Sequence, residues 1–188
     1  MARRKKTPRR TTFTASEAME RLRRRDPTLK HINLRVARHT DLELAELTDC
    51  LLAHPDVVTT TDLSNNRLTD ETGLKLARYL AISSTIQFLS LYNTQLGSGT
   101  YLALAAALRV NSSLLGLYLY ANPSVDQTSI DAAFVEALRL NPDRPTESEW
   151  WLHSARDGFK RLKQAADALG PPSMLSQLRH CDCTWSKK

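Results

Sequence analysis

Seven side chains in this sequence are of types that mark recognition surfaces: His31, Arg35, Asp62, Phe88, Tyr92, Tyr118 and Tyr120. They lie in four short segments with strand-like alternation, HINLR at 31–35, TTDLS at 60–64, FLSLY at 88–92 and GLYLY at 116–120. Alternate residues of a strand point to opposite faces. The face turned away from the apolar positions therefore carries His31, Asn33 and Arg35, then Thr60, Asp62 and Ser64, then Phe88, Ser90 and Tyr92, then Gly116, Tyr118 and Tyr120. Aromatics and arginine dominate binding hot spots. The competing role for the same rings is mutual support as cross-strand pairs, or cover from the C-terminal segment.

Catalytic chemistry finds little to work with. The five histidines, His31, His39, His54, His153 and His180, sit in no GxSxG or HExxH arrangement. His31 and Asp62 stand on successive strands with no nucleophile implied. LGSGTYL at 96–102 lacks the third glycine of a dinucleotide loop, with Leu102 in its place. His180, Cys181 and Cys183 form a short cluster with no second pair to close a tetrahedral metal site. Cys50 falls in an amphipathic segment and reads as a buried thiol. These patterns predict a protein that is not an enzyme and needs neither cofactor nor metal.

Charge is unevenly spread. The net +6 divides into +8 over residues 1–25 and −2 over the rest. The basicity thus belongs to an arm carrying Arg3, Arg4, Lys5, Lys6, Arg9 and Arg10, and to the helix after it. The arm has three readings: an import address, a contact to RNA or another polyanion, or a solvated tail. A mitochondrial presequence stays open, although Pro8 and poor amphipathicity count against it. No apolar run approaches the ~20 residues of a membrane span, and no signal core opens the chain. With three cysteines, the expectation is an intracellular protein, cytoplasmic or nuclear, without a membrane partner.

The elements that position the seven side chains repeat along the chain. LKHINLRVA (29–37), VTTTDLSNN (58–66), IQFLSLYNT (86–94) and LLGLYLYAN (114–122) align on Leu34, Leu63, Leu91 and Leu119, at intervals of 29, 28 and 28 residues. Each is followed by a segment of helical period, near 41–53, 71–82, 99–110 and 127–140. In the middle two, Leu74, Leu76, Ala77 and Leu80 match Leu102, Leu104, Ala105 and Leu108. LxxLxLxxN followed by a helix at this period resembles the leucine-rich repeats of the ribonuclease-inhibitor class. The resemblance implies an α/β fold: a short right-handed solenoid, with parallel strands on the concave face and helices on the convex face.

The asparagine of that pattern has a physical reason. Where the chain leaves each strand, backbone groups lose their ladder partners, at a cost on the order of 1–3 kcal/mol each if buried unpaired. A carboxamide both donates and accepts, so one side chain bridges neighbouring turns. Asn66 and Asn122 hold the position, Thr94 is a weaker substitute, and Ala37 cannot serve. Asn65, one step earlier, is expected to be free for another role. Thr61 is the polar exception among the inward positions, which requires its hydroxyl to bond to backbone.

The flanks complete the plan. Thr14-Ala-Ser-Glu17 has capping-box form and opens a helix with Ala18, Met19 and Leu22 on one face, stopped by Pro27. Asp26, Pro27, Leu29, Ile32, Asn33 and Leu34 resemble the start of the leucine-rich domain of tropomodulin and leiomodin proteins, which implies a similar N-terminal cap and actin as a possible partner. After the repeats, Trp150, Trp151, Leu152, Phe159, Leu162 and Ala166 form the apolar set of a further helix, which would close the open end of the solenoid. The expected organisation is a disordered basic arm (1–13), an N-terminal capping helix (14–26), four repeats (27–145), a C-terminal capping helix (146–170) and a flexible tail (171–188). The expected function is a protein–protein interaction module, an adaptor or subunit of a larger assembly, binding through the concave sheet. The alternatives are a ribonucleoprotein subunit held by the arm and an actin binder of tropomodulin type.

Overall fold

The computed structural model describes residues 13–35, 39–119, 121–122 and 127–143. Along the chain these form α1 (Ala15–Arg23), β1 (His31–Asn33), α2 (Asp41–Ala53), β2 (Thr60–Asp62), α3 (Asp70–Ile82), β3 (Phe88–Ser90), α4 (Ser98–Leu108), β4 (Gly116–Tyr118) and α5 (Gln127–Leu140). The strands make one parallel sheet in the order β1-β2-β3-β4, each joined to the next by a helix. Ile32, Thr61, Leu89 and Leu117 share one inward row, and all four are fully buried. The helices start within one residue of the positions read from periodicity and end within two. The basic arm, the segment 146–170, the tail, Ala37 and Tyr120 lie outside the described residues.

A single core runs between sheet and helices. Leu34, Leu63 and Leu91 are at most 1% exposed, and burying each leucine stabilises the fold by roughly 1.5–3 kcal/mol. Leu76, Ala77 and Leu80 of α3 and Leu104, Ala105 and Leu108 of α4 are buried, whereas Leu74 and Leu102 of the same motif face outward. Cys50 is buried, as expected.

Polar rungs hold the repeats in register. Asn66 Nδ2 donates to the carbonyls of Leu34 (3.0 Å) and Leu63 (2.9 Å), while its Oδ1 accepts from the His39 N–H. Asn122 Nδ2 does the same for Leu91 (2.8 Å) and Leu119 (2.9 Å), and its Oδ1 accepts from the Thr94 N–H. The Thr94 hydroxyl reaches the Leu91 carbonyl within its own turn (2.8 Å) and Asn122 Oδ1 of the next repeat (3.1 Å), but, among the described residues, no carbonyl of a neighbouring repeat. A second asparagine row lies at the helix ends. Asn111 Nδ2 donates to Leu80 and Ser83 carbonyls, and Asn141 Nδ2 to those of Leu108 and Asn111. A carboxylate row caps the helix starts: Asp41 accepts from the Thr69 N–H and hydroxyl, and Asp70 from the Gly97 N–H and Thr100 hydroxyl.

Three expectations need correction. Asn65 is not free: its φ of 59° is left-handed, a region asparagine tolerates better than most residues, and its Oδ1 accepts from Asn93 Nδ2 at 3.0 Å. Asn93 and Ala121, its counterparts 28 and 56 residues on, share that conformation. Thr61 Oγ1 has no hydrogen-bond partner, so the backbone bond required of it is not made. The reciprocal capping box is found at Thr40–Glu43 on α2, where each side chain bonds the other's N–H. At α1 only the Thr14 half is present.

The helix α1 also stops earlier than Pro27 demands, with Arg25 at a φ of 50°. Asp26 then organises the turn. Its carboxylate accepts from the Thr28 hydroxyl (2.6 Å), the Thr28 N–H (2.8 Å) and Arg21 Nε (2.7 Å). The Thr28 hydroxyl and N–H, followed by Arg21, hold this carboxyl down to about 2.

Candidate protein-binding face

The register sorts the outward side chains into two rows. His31, Thr60, Phe88 and Gly116 align in one, and Asn33, Asp62, Ser90 and Tyr118 in the other. Phe88 and Tyr118 are thus on neighbouring strands and adjacent rows. Phe88 is 37% exposed and Gly116 is buried. A Cβ at Gly116 would stand 2.9 Å from Phe88 Cδ1 and 3.5 Å from Tyr118 Cε2. Gly116 is therefore the floor on which the Phe88 ring lies, and the tyrosine ring flanks the same spot. The sequence suggested either recognition or mutual support for these rings. In the structure the glycine and the neighbouring tyrosine lie against Phe88 and leave part of its ring exposed.

Tyr92, just past β3, is half-buried, and His31 and Arg35 are exposed at the β1 end. Asp62 is half-buried and accepts from the Ser64 N–H at 3.0 Å. The register sets His31 beside Thr60 and Asp62 beside Asn33, so His31 and Asp62 are diagonal rather than paired. Ser64 does not belong to the open face: it is 2% exposed, and its hydroxyl meets that of Ser90 at 2.7 Å. Tyr120 and the arm residues Arg3, Arg4, Lys5, Lys6, Arg9 and Arg10 lie outside the described residues. The role of Gly116 was missed from sequence; its signal is a glycine inside a strand, which often marks a close approach by another group.

Other concave regions offer less. A cleft of about 620 Å³ opens where β1 and β2 end, between His39, Asp41, Arg67 and Gln95. Much of its polar wall is already committed to the caps, through Asp41 on Thr69 and Asn66 on His39. Among the described residues no three His, Cys, Asp or Glu side chains gather closely enough to hold a metal ion. Asn111, which formally opens a glycosylation motif, is 2% exposed with its amide spent on two carbonyls. Among the described residues no helix is long and apolar enough to cross a membrane.

Parallel strand–helix units at a 28-residue spacing, with leucines inward and asparagines at the turns, define a leucine-rich-repeat α/β fold. Two solved structures share it. The leiomodin-1 actin-binding site 2 (ABS2) matches with a TM-score of 0.65 and 20% identity, over 89% of this chain and 97% of that one. The C-terminal domain of Caenorhabditis elegans tropomodulin matches with a TM-score of 0.68 and 16% identity, over 89% of this chain and 98% of that one. No family model and no curated protein matches the sequence. The cap motif from Asp26 to Leu34 thus stands in a chain whose fold is that of the tropomodulin and leiomodin domains.

Proposed function

We propose that this protein is a non-enzymatic protein-binding module, an adaptor or subunit of a larger intracellular assembly, that engages its partner through the outward strand face. The observation that carries the reading is the Phe88 ring, partly open above the buried Gly116 and beside Tyr118. A ring already restricted by its surroundings loses little freedom on binding, which is how preorganised contacts gain affinity. Tyr92 follows Phe88 just past the same strand, Asp62 stands on the neighbouring β2, and His31 and Arg35 extend the face as a polar end at β1.

The test begins with capture of partners from native cells, with and without nuclease, followed by measurement with the purified partner. Phe88→Ala combined with Tyr118→Ala should weaken binding about a hundredfold, the effect of losing two hot-spot aromatics, with the circular dichroism spectrum unchanged. Deletion of residues 1–13 should leave this binding largely intact. Unchanged affinity in the double variant refutes the strand-face reading.

Actin is the second reading, favoured by the likeness to the leiomodin-1 actin-binding site 2. Purified full-length protein should then bind monomeric actin or alter filament growth at the pointed end. No effect on either removes actin and leaves the strand-face reading standing.

A further inference from the structure

The opposite side of the molecule carries an apolar surface that the strand-face reading does not use. Helix α4, SGTYLALAAAL, has no charged residue. A helix apolar all round is ordinarily buried all round, yet Leu102 is 48% exposed and Ala106 is exposed. Gly99 lies in open space, with nothing within 4 Å of where a Cβ would sit. Within the chain, that leaves its helix-propensity cost without a packing reason. On α3, Leu74 is 45% exposed at the position equivalent to Leu102. Ile82, the last residue of α3, and its equivalent Val110, two residues past the end of α4, are 56% and 66% exposed.

The charges on α3 supply an independent observation. Glu71 and Arg78 are seven residues apart, hence on one stripe of the helix. Both are exposed, and neither makes a hydrogen bond or ion pair among the described residues. Lys75 between them is tied to Asp49 at 2.9 Å. We infer that the outer faces of α3 and α4 form an isologous docking surface for a second copy of this chain. A two-fold axis crossing α3 midway between Glu71 and Arg78 lays the two α3 helices antiparallel. Glu71 of each copy then faces Arg78 of the other. Repeat spacing carries the same axis across α4 between Leu102 and Ala103. There it sets Gly99 against Ala106 and brings the Leu102 side chains together at the centre. One axis thus satisfies the charges of α3 and the shape of α4. The footprint, about 20 Å along each helix and two helices wide at ~10 Å each, is on the order of 400 Å² per copy. That is below the ~800 Å² of a standard interface, so the dimer is weak and concentration-dependent.

Sedimentation equilibrium of the full chain from micromolar to submillimolar concentration should show a reversible monomer–dimer equilibrium. Leu102→Glu should be monomeric throughout with an unchanged circular dichroism spectrum. Glu71→Arg or Arg78→Glu alone should weaken association about tenfold, since each replaces two attractive contacts by repulsive ones. The two changes combined should restore it. A wild-type chain that stays monomeric overturns the inference, as does a Leu102→Glu variant that dimerises normally. A charge-swapped double no better than either single overturns the antiparallel pairing. Slow maleimide labelling of Leu102→Cys in a monomeric chain assigns the face to another part of the same chain, which also overturns the second copy as its occupant.

Discussion

Thr61→Val should stabilise the protein, and the structure sets the size of the effect. Thr61 is fully buried between Ile32 and Leu89 in the inward row, and its Oγ1 has no partner. A buried hydroxyl left unpaired costs about 1–3 kcal/mol, and the added methyl contributes about 0.8 kcal/mol of burial. Valine has nearly the same shape and the same preference for a strand, so little is lost in exchange. The net expectation is a gain of about 1–2 kcal/mol after imperfect repacking. With a urea m-value of about 2 kcal/mol/M, the unfolding midpoint should rise by about 0.5–1 M with m unchanged. Thr61→Ser serves as the control, because it keeps the hydroxyl and loses the methyl; its midpoint should fall. A valine variant at or below the wild-type midpoint would refute the reasoning, since it would mean that the hydroxyl is satisfied after all.

Tyr79 predicts an alkaline effect of known sign. Burial pushes its hydroxyl up to about 12; the Ser83 hydroxyl beside it gives its proton to the Pro55 carbonyl at 2.6 Å and so does not donate to the tyrosine. The folded state prefers the protonated form, so this contribution is whole below pH 10 and is lost as pH rises through 12. Tyr79→Phe should match or slightly exceed wild type in urea midpoint at pH 7, because the hydroxyl has no hydrogen-bond partner, and should lose less at pH 11; a loss above about 1 kcal/mol at pH 7 would contradict this. Asn66→Ala should cost about 3 kcal/mol, as the carbonyls of Leu34 and Leu63 and the His39 N–H lose their partner together. A cost under about 1 kcal/mol in the same urea titration would mean that water replaces the amide.

What could be read from the sequence was whatever recurs. Leu34, Leu63, Leu91 and Leu119 are placed by a period, and a period survives without knowledge of any contact. Asn66 was legible because a repeated turn needs a repeated donor. The parts that escaped depend on single contacts between repeats. Asn65 bonds Asn93, Ser64 turns in to meet Ser90, and Gly116 yields its space to Phe88. Each pairs residues 26–28 apart through side-chain geometry that alternation does not encode. Thr61 was placed correctly on the inward face, but whether its hydroxyl found a carbonyl was a question about atoms, and it did not. Of the candidate binding residues, Phe88 and Tyr118 lie on the adjacent strands β3 and β4, and His31 and Asp62 lie diagonally on the adjacent strands β1 and β2.

The two rows of the sheet explain how such a fold acquires a function without changing its architecture. The inward row, Ile32, Thr61, Leu89 and Leu117, is held to one chemistry by the shared core, and its one departure carries an unpaired hydroxyl. The outward row, His31, Thr60, Phe88 and Gly116, has no such constraint and differs at every step. In a solenoid each repeat contacts only its neighbours, so an outward substitution is felt one strand away and no further. Phe88 illustrates this, because its ring required a glycine at the equivalent position of the next strand and nothing beyond it. The aromatic end at β3 and β4 and the polar end at β1 and β2 can therefore specialise separately. A partner that contacts both ends reads two independent surfaces, whose contributions to affinity should add when Phe88 and Arg35 are substituted together.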